Sequence, residues 1–164
     1  MFSLFSPQLK KTIFMKKFIL PSIFAFGLLF SCNNDDDSSI NSESIVGTWS
    51  FVKYQTQFSK DNHIEDQYLA DKCSSKDSYT FTKDNKYSAI GYDSDRNNIC
   101  EIDWTEEGTY SISGNKVRLT YKDGGSGEGE ISKLTKNELI LKSDYGEDLD
   151  GDGKNEIDIL VLKR

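Results

Sequence analysis

Apolar and polar side chains alternate with a period of two along much of the chain. In residues 116–122, Val117, Leu119 and Tyr121 alternate with Lys116, Arg118, Thr120 and Lys122, the pattern of an antiparallel strand with one buried and one wet face. The same period recurs at Tyr79 and Phe81, at Tyr110 and Ile112, and at Leu139 and Leu141. Turn-forming residues stand between these runs: Asp84-Asn85, Gly114-Asn115, Lys136-Asn137 and the glycine-rich stretch 122–129. The pattern predicts strands near 46–58, 78–83, 86–92, 99–105, 107–113, 115–122, 128–143 with a break at its turn, and 156–163. Such close spacing leaves no room for crossover helices. The expected fold class is therefore all-β, an antiparallel up-and-down meander of about eight strands that hides its edges by closing into a barrel. Residues 59–77 are too long for a hairpin, and Ile64, Tyr68 and Leu69 stand at helical spacing within them. They predict a short helix or folded flap across one barrel mouth.

The N-terminal end follows a different pattern. Lys16 and Lys17 precede an apolar run of 13 residues, 18–30, which suits a secretory signal and is too short to cross a bilayer as a helix. The run ends in Leu29-Phe30-Ser31-Cys32, which resembles a bacterial lipobox and implies that Cys32 carries a lipid. Met15 directly precedes the lysines, so the true start can lie there. Residues 1–31 are assigned to the signal and 32–44, rich in aspartate, asparagine and serine, to a flexible acidic tether. The expected domain is 45–164, held to a membrane by the acyl chains. The expected localisation is the outer membrane, on its periplasmic or cell-surface face.

Charge narrows the partners. Four of the 20 basic residues and none of the 27 acidic ones lie in 1–31, so the remaining 133 residues carry 16 basic against 27 acidic side chains, a net charge of −11. That balance argues against nucleic acid and anionic head groups. Cys73 and Cys100 form an even pair in an exported chain, where a disulfide is the simplest state. With one histidine, His63, in a polar stretch, they lack the paired close spacing of a zinc site.

Gly47-Thr48-Trp49 opens the first strand and resembles the Gly-x-Trp signature of lipocalins, in which the tryptophan closes the barrel floor. Together with the meander of short strands, the lipidated signal and the hairpin 79–87, it is similar to the lipocalin-like domains of bacterial lipoproteins. The chain departs from full-size lipocalins in having no long helix before its last strand. Trp49, Phe51, Tyr79, Phe81, Tyr110, Leu119 and Tyr121 are the candidates for the barrel floor or a ligand-lining wall. An eight-stranded barrel either fills with side chains or holds one small ligand. The resemblance implies a small apolar ligand, and the residues leave open a packed barrel serving as a structural or protein-interaction module of a surface assembly. A carboxylate-dependent hydrolase is the third reading. No catalytic residue is assigned, because no nucleophile has a histidine base in a plausible place and the acids cluster in turns. No redox or nucleotide cofactor is expected, since the glycine-rich stretch lacks a phosphate-cradling lysine.

One acidic run carries candidate metal chemistry. Asp148, Asp150 and Asp152 alternate with Leu149 and Gly151, Gly153 permits a sharp turn, and Glu156 follows. With the Lys154 carbonyl, these oxygens can converge on one hard cation, and a structural calcium ion is expected. The EF-hand version fails, because Ile159 stands where a bidentate glutamate is needed and the flanks read as strands.

Overall fold

The structure, a computed structural model, describes residues 45–164. The predicted signal, Cys32 and the tether lie outside the described residues. Nine strands follow one another: β1 (Gly47–Gln57), β2 (Ile64–Leu69), β3 (Ser78–Phe81), β4 (Lys86–Ser94), β5 (Cys100–Ser113), β6 (Lys116–Tyr121), β7 (Ser126–Leu134), β8 (Glu138–Asp144) and β9 (Ile157–Lys163). All pairings are antiparallel in the order β2-β1-β3-β4-β5-β6-β7-β8-β9, and β9 returns to pair with β1. Eight strands thus close a barrel and β2 lies outside the ring. The all-β barrel expectation holds.

The elements form where the alternation predicted them, with two differences. Segments 99–105 and 107–113 are one strand, β5, which passes through Gly108 without a turn. A Cβ there would lie 2.2 Å from the Thr120 carbonyl oxygen, so glycine is needed for the close approach of β6. The break expected within 128–143 is present, with β7 and β8 separated at residues 135–137. The second difference is the segment 59–77. It forms β2 and a short 3₁₀ turn (Ser74–Lys76) instead of an α-helix. Ile64, Tyr68 and Leu69 are 49%, 47% and 59% exposed, so their spacing reflects no buried helical face. Tight turns close the other hairpins. At the β3–β4 turn Asn85 takes φ 60°, and the Thr82 hydroxyl accepts from the Lys86 amide at 3.1 Å while donating to Asp84 at 2.6 Å.

One edge of β1 is shared, with Gly47–Ser50 on β3 and Lys53–Gln57 on β2. The other edge pairs with β9 from Ser50 to Gln57. Here the barrel end carrying Trp49 is called the floor, and the end carrying Gln57 the mouth. The segment between β2 and β3 is fastened twice. Cys73 and Cys100 form a disulfide with Cα atoms 5.2 Å apart, as expected. Asp77 accepts from the Tyr92 amide at 2.8 Å through Oδ1, and its carbonyl accepts from the Phe51 amide at 3.2 Å.

Candidate functional site

Inside the barrel the inward face changes character from floor to mouth. Trp49 is fully buried, its Nε1 donates to the Ile45 carbonyl at 2.9 Å, and the Arg164 guanidinium lies 3.9 Å from its ring centroid. Arg164 also donates to the Val46 carbonyl at 3.0 Å, and a side chain at Gly47 would collide with that guanidinium. Above this floor Phe81 meets Tyr87 and Tyr110 at centroid distances of 5.3 and 5.1 Å, the second pair edge to face, a favourable geometry for aromatic rings. Of the predicted floor and lining residues, Trp49, Phe51, Tyr79, Phe81, Tyr110 and Leu119 join one buried cluster and Tyr121 packs half-buried against it.

Toward the mouth the inward positions become small or polar. On β1, β8 and β9 they are Tyr54, Thr56, Ser143 and Asp158, with Thr56 opposite Asp158 and Asp158 opposite Ser143 across the ladders. Thr56 and Asp158 are 1% and 5% exposed. On β7 the inward positions opposite Leu119 and Val117 are Gly127 and Gly129. Burial pushes Asp158 up to about 6, against the opposing hydrogen bond from the Tyr54 hydroxyl and helped by the nearby charge of Asp144. On β5, Glu106 is also pushed up by burial, opposed by a hydrogen bond with Tyr87. The same desolvation pushes Tyr54, Tyr87 and Tyr121 well up. Sequence patterning missed this polar end. Its available signal was a single acid, Asp158, at inward parity within an otherwise apolar strand.

The acidic run forms the loop between β8 and β9, closed at its base by Tyr145 N donating to Glu156 O at 2.9 Å. The structure brings Asp148, Asp150 and Glu156 together, with one carboxylate oxygen from each within 4.8 Å of the others. Glu156 is fully buried, and its carboxylate accepts from the amides of Ser59, Leu149 and Asp150 at 2.9, 2.9 and 3.1 Å. Three amide donors can hold a buried carboxylate without a basic partner. Asp148 accepts from the amides of Gly151, Asp152 and Gly153, which hold its carboxyl below the usual range. Asp152 is turned aside, bonding Ser59 Oγ at 2.8 Å and the Lys154 amide at 2.9 Å. Lys60 N reaches Asp150 at 3.1 Å. The loop is therefore docked on the β1–β2 turn, a contact between residues about 90 positions apart that no local pattern announces.

Two further features belong to the outer surface. A depression of about 610 Å³ lies against β6, β7 and β8, with Lys116, Glu128, Glu130, Lys142 and Asp144 in its lining, a mixed-charge wall and not the apolar one expected of a calyx. His63 sits in the exposed β1–β2 turn, stacked on Phe58 at 4.3 Å and bonded to Asp61 and Glu65.

A lipocalin-like protein from Bacteroides uniformis superposes with a TM-score of 0.45 at 18% identity, over 74% of this chain and 98% of that one. An uncharacterized protein from Bacteroides eggerthii gives 0.46 at 15% identity, over 73% and 98%. Lobster apocrustacyanin A1 gives 0.43 at 12% identity, over 74% of this chain and 61% of its own. Among curated proteins no sequence matches. The profile of the lipocalin-like domain matches residues 45–141, more than half of the chain, and the chain belongs to that family.

Proposed function

We propose that this protein is a lipid-anchored binding module that takes up one small, largely apolar molecule through the mouth of its barrel. The observation that carries this reading is the change in inward side chains along one interior. The floor end is filled by Trp49, Phe51, Phe81 and Tyr110, whereas Thr56, Gly127, Gly129 and Ser143 face inward toward the mouth. A barrel of this strand number can hold a small ligand only where large side chains do not fill it. Binding is favoured over catalysis because the single histidine lies in an exposed turn, stacked on Phe58.

The anchor is assigned to Cys32 from the lipobox-like sequence. Labelled palmitate should enter the protein, and Cys32→Ala should abolish incorporation; incorporation that survives the substitution removes the anchor. The acidic loop is assigned to a structural calcium ion on Asp148, Asp150 and Glu156, whose oxygens already converge. The Lys154 carbonyl completes the proposed set, and Asp152 would join it only by leaving Ser59. Calcium there would tie the β8–β9 loop to the β1–β2 turn beside the mouth.

Native mass spectrometry of the protein extracted from membranes tests the binding reading. A discrete non-covalent small-molecule adduct is expected, and it should be lost in Ser143→Leu, which fills the mouth end. The bare polypeptide mass alone, with the lipid accounted for, would favour the packed interaction module instead.

A further inference from the structure

The mouth end of the interior holds a carboxylate oxygen that the fold leaves unanswered. Asp158 is 5% exposed, and among the described residues its Oδ1 has no hydrogen-bond partner. Its side chain does bond the Tyr54 hydroxyl, which leaves acceptor capacity unused. Alternation along β9 puts Asp158 on the same face as the core residues Leu160 and Leu162, so the carboxylate is directed into the barrel. A buried acceptor without a partner is uncommon in folded proteins, and where one persists a partner from outside the chain is an expected explanation.

The surroundings say what that partner should be. Among the described residues, the inward positions flanking Asp158 are Thr56 and Ser143, and no lysine or arginine shares them. Lys142 is spent elsewhere, on Gln57 Oε1 at 3.0 Å. The other charges near the mouth are acids. Asp144 ends β8 opposite Ile157, and Glu106 stands on β5, which is separated from β9 by three strands in either direction around the closed ring. The two inward carboxylates therefore lie on opposite walls. The Tyr54 hydroxyl bonds Asp158 and Tyr121 lies near Glu106, and tyrosine rings attract cations through their electron-rich faces. An anion would meet repulsion here, while a neutral donor would satisfy the oxygen but leave the charge uncompensated.

We propose that the mouth end of the barrel is a site for a small organic cation, an ammonium group on an apolar body, with the Asp158 carboxylate as its counter-ion and the tyrosine rings around it. This inference rests on the small-molecule reading above and adds the head-group chemistry.

The test uses three probes with one aromatic body: 2-phenylethylamine, charged as the ammonium at pH 7.5, 2-phenylethanol, and 3-phenylpropanoate. Each is titrated into the detergent-solubilised full chain carrying labelled leucine methyl groups. The ammonium should bind at least about tenfold more tightly than the alcohol, a difference of about 1.4 kcal/mol, and the carboxylate should not bind. Shifts should fall on Leu141 and Leu160 and spare Leu139 and Leu162. Asp158→Asn should equalise ammonium and alcohol while its own spectrum reports an intact fold. Equal binding of ammonium and alcohol to the wild type, or an ammonium preference that survives Asp158→Asn, overturns the cation site and leaves the small-molecule reading standing. Silence from all three probes overturns both.

Discussion

The two tryptophans of the chain stand toward opposite ends of one barrel, and their surroundings differ in kind. Trp49 is sealed in the floor, its indole N–H bonded to Ile45 and its face covered by Arg164. Trp104 is half-buried, with its ring pressed on Gly91 and its edge toward Tyr79 at 6.3 Å. Trp49 belongs to one buried cluster with Phe51, Phe81 and Tyr110, so burial there contributes stability by area. Around the mouth, burial works against the groups that are present. Asp158 and Asp77 are both pushed up to about 6, chiefly by desolvation. The contrast teaches that the floor is stabilised by apolar burial, whereas the mouth end keeps a buried acid, Asp158, with one oxygen the fold leaves unbonded.

The largest test of that contrast is a pair of truncations. Trp49→Ala should lose about 3–5 kcal/mol of unfolding free energy in denaturant melts, the range for a large buried aromatic, whereas Trp104→Ala should lose about 1–2 kcal/mol. Equal losses would erase the distinction. Replacing Cys73 and Cys100 together by serine opens a link across a sequence separation of 27. It should cost about 3–4 kcal/mol on the chain-entropy view, and hydrogen exchange should quicken in β2 and the 3₁₀ turn before it does in β8 or β9.

Asp158→Asn should act in the opposite direction. The folded carboxyl titrates near 6 against an ordinary 3.8, so folding favours the protonated form. Stability from this group is full below about pH 4, falls as pH rises through 6 and is absent above it. The variant should therefore be more stable than the wild type at pH 7.5 by about 1–3 kcal/mol and gain little at pH 4. A variant destabilised at pH 7.5 would mean that the charge is answered within the fold. The smallest expected effect belongs to the acidic loop. At an affinity of about 0.1 mM, calcium at about 1 mM should add roughly 1.4 kcal/mol, or about 3–6 °C in melting temperature. Identical melts in chelator and calcium, or a shift that Asp150→Ala leaves intact, would make the loop a charged turn only.

The barrel was legible in the sequence because half-buried strands such as β6 write their two faces directly as alternation. β2 was not, since all six of its residues are exposed and no buried face imposes a period. The boundary between 99–105 and 107–113 was misread because Gly108 acts by close approach instead of by turning. Convergence of Asp148, Asp150 and Glu156 was readable from spacing. Asp152 was not readable, because its partner Ser59 comes from a distant turn. Asp158 lay hidden in an apolar run whose overall hydrophobicity conceals one inward acid.

The claim that the mouth end, and not the floor, receives a small molecule can be read from the two tryptophans themselves. Labelled with 5-fluorotryptophan, the protein should give two fluorine resonances, assignable by Trp104→Phe. Titration with 2-phenylethylamine should move the Trp104 resonance and leave that of Trp49 in place. A probe that shifts Trp49, or that leaves both resonances unmoved at saturating concentration, would contradict a binding site at the mouth.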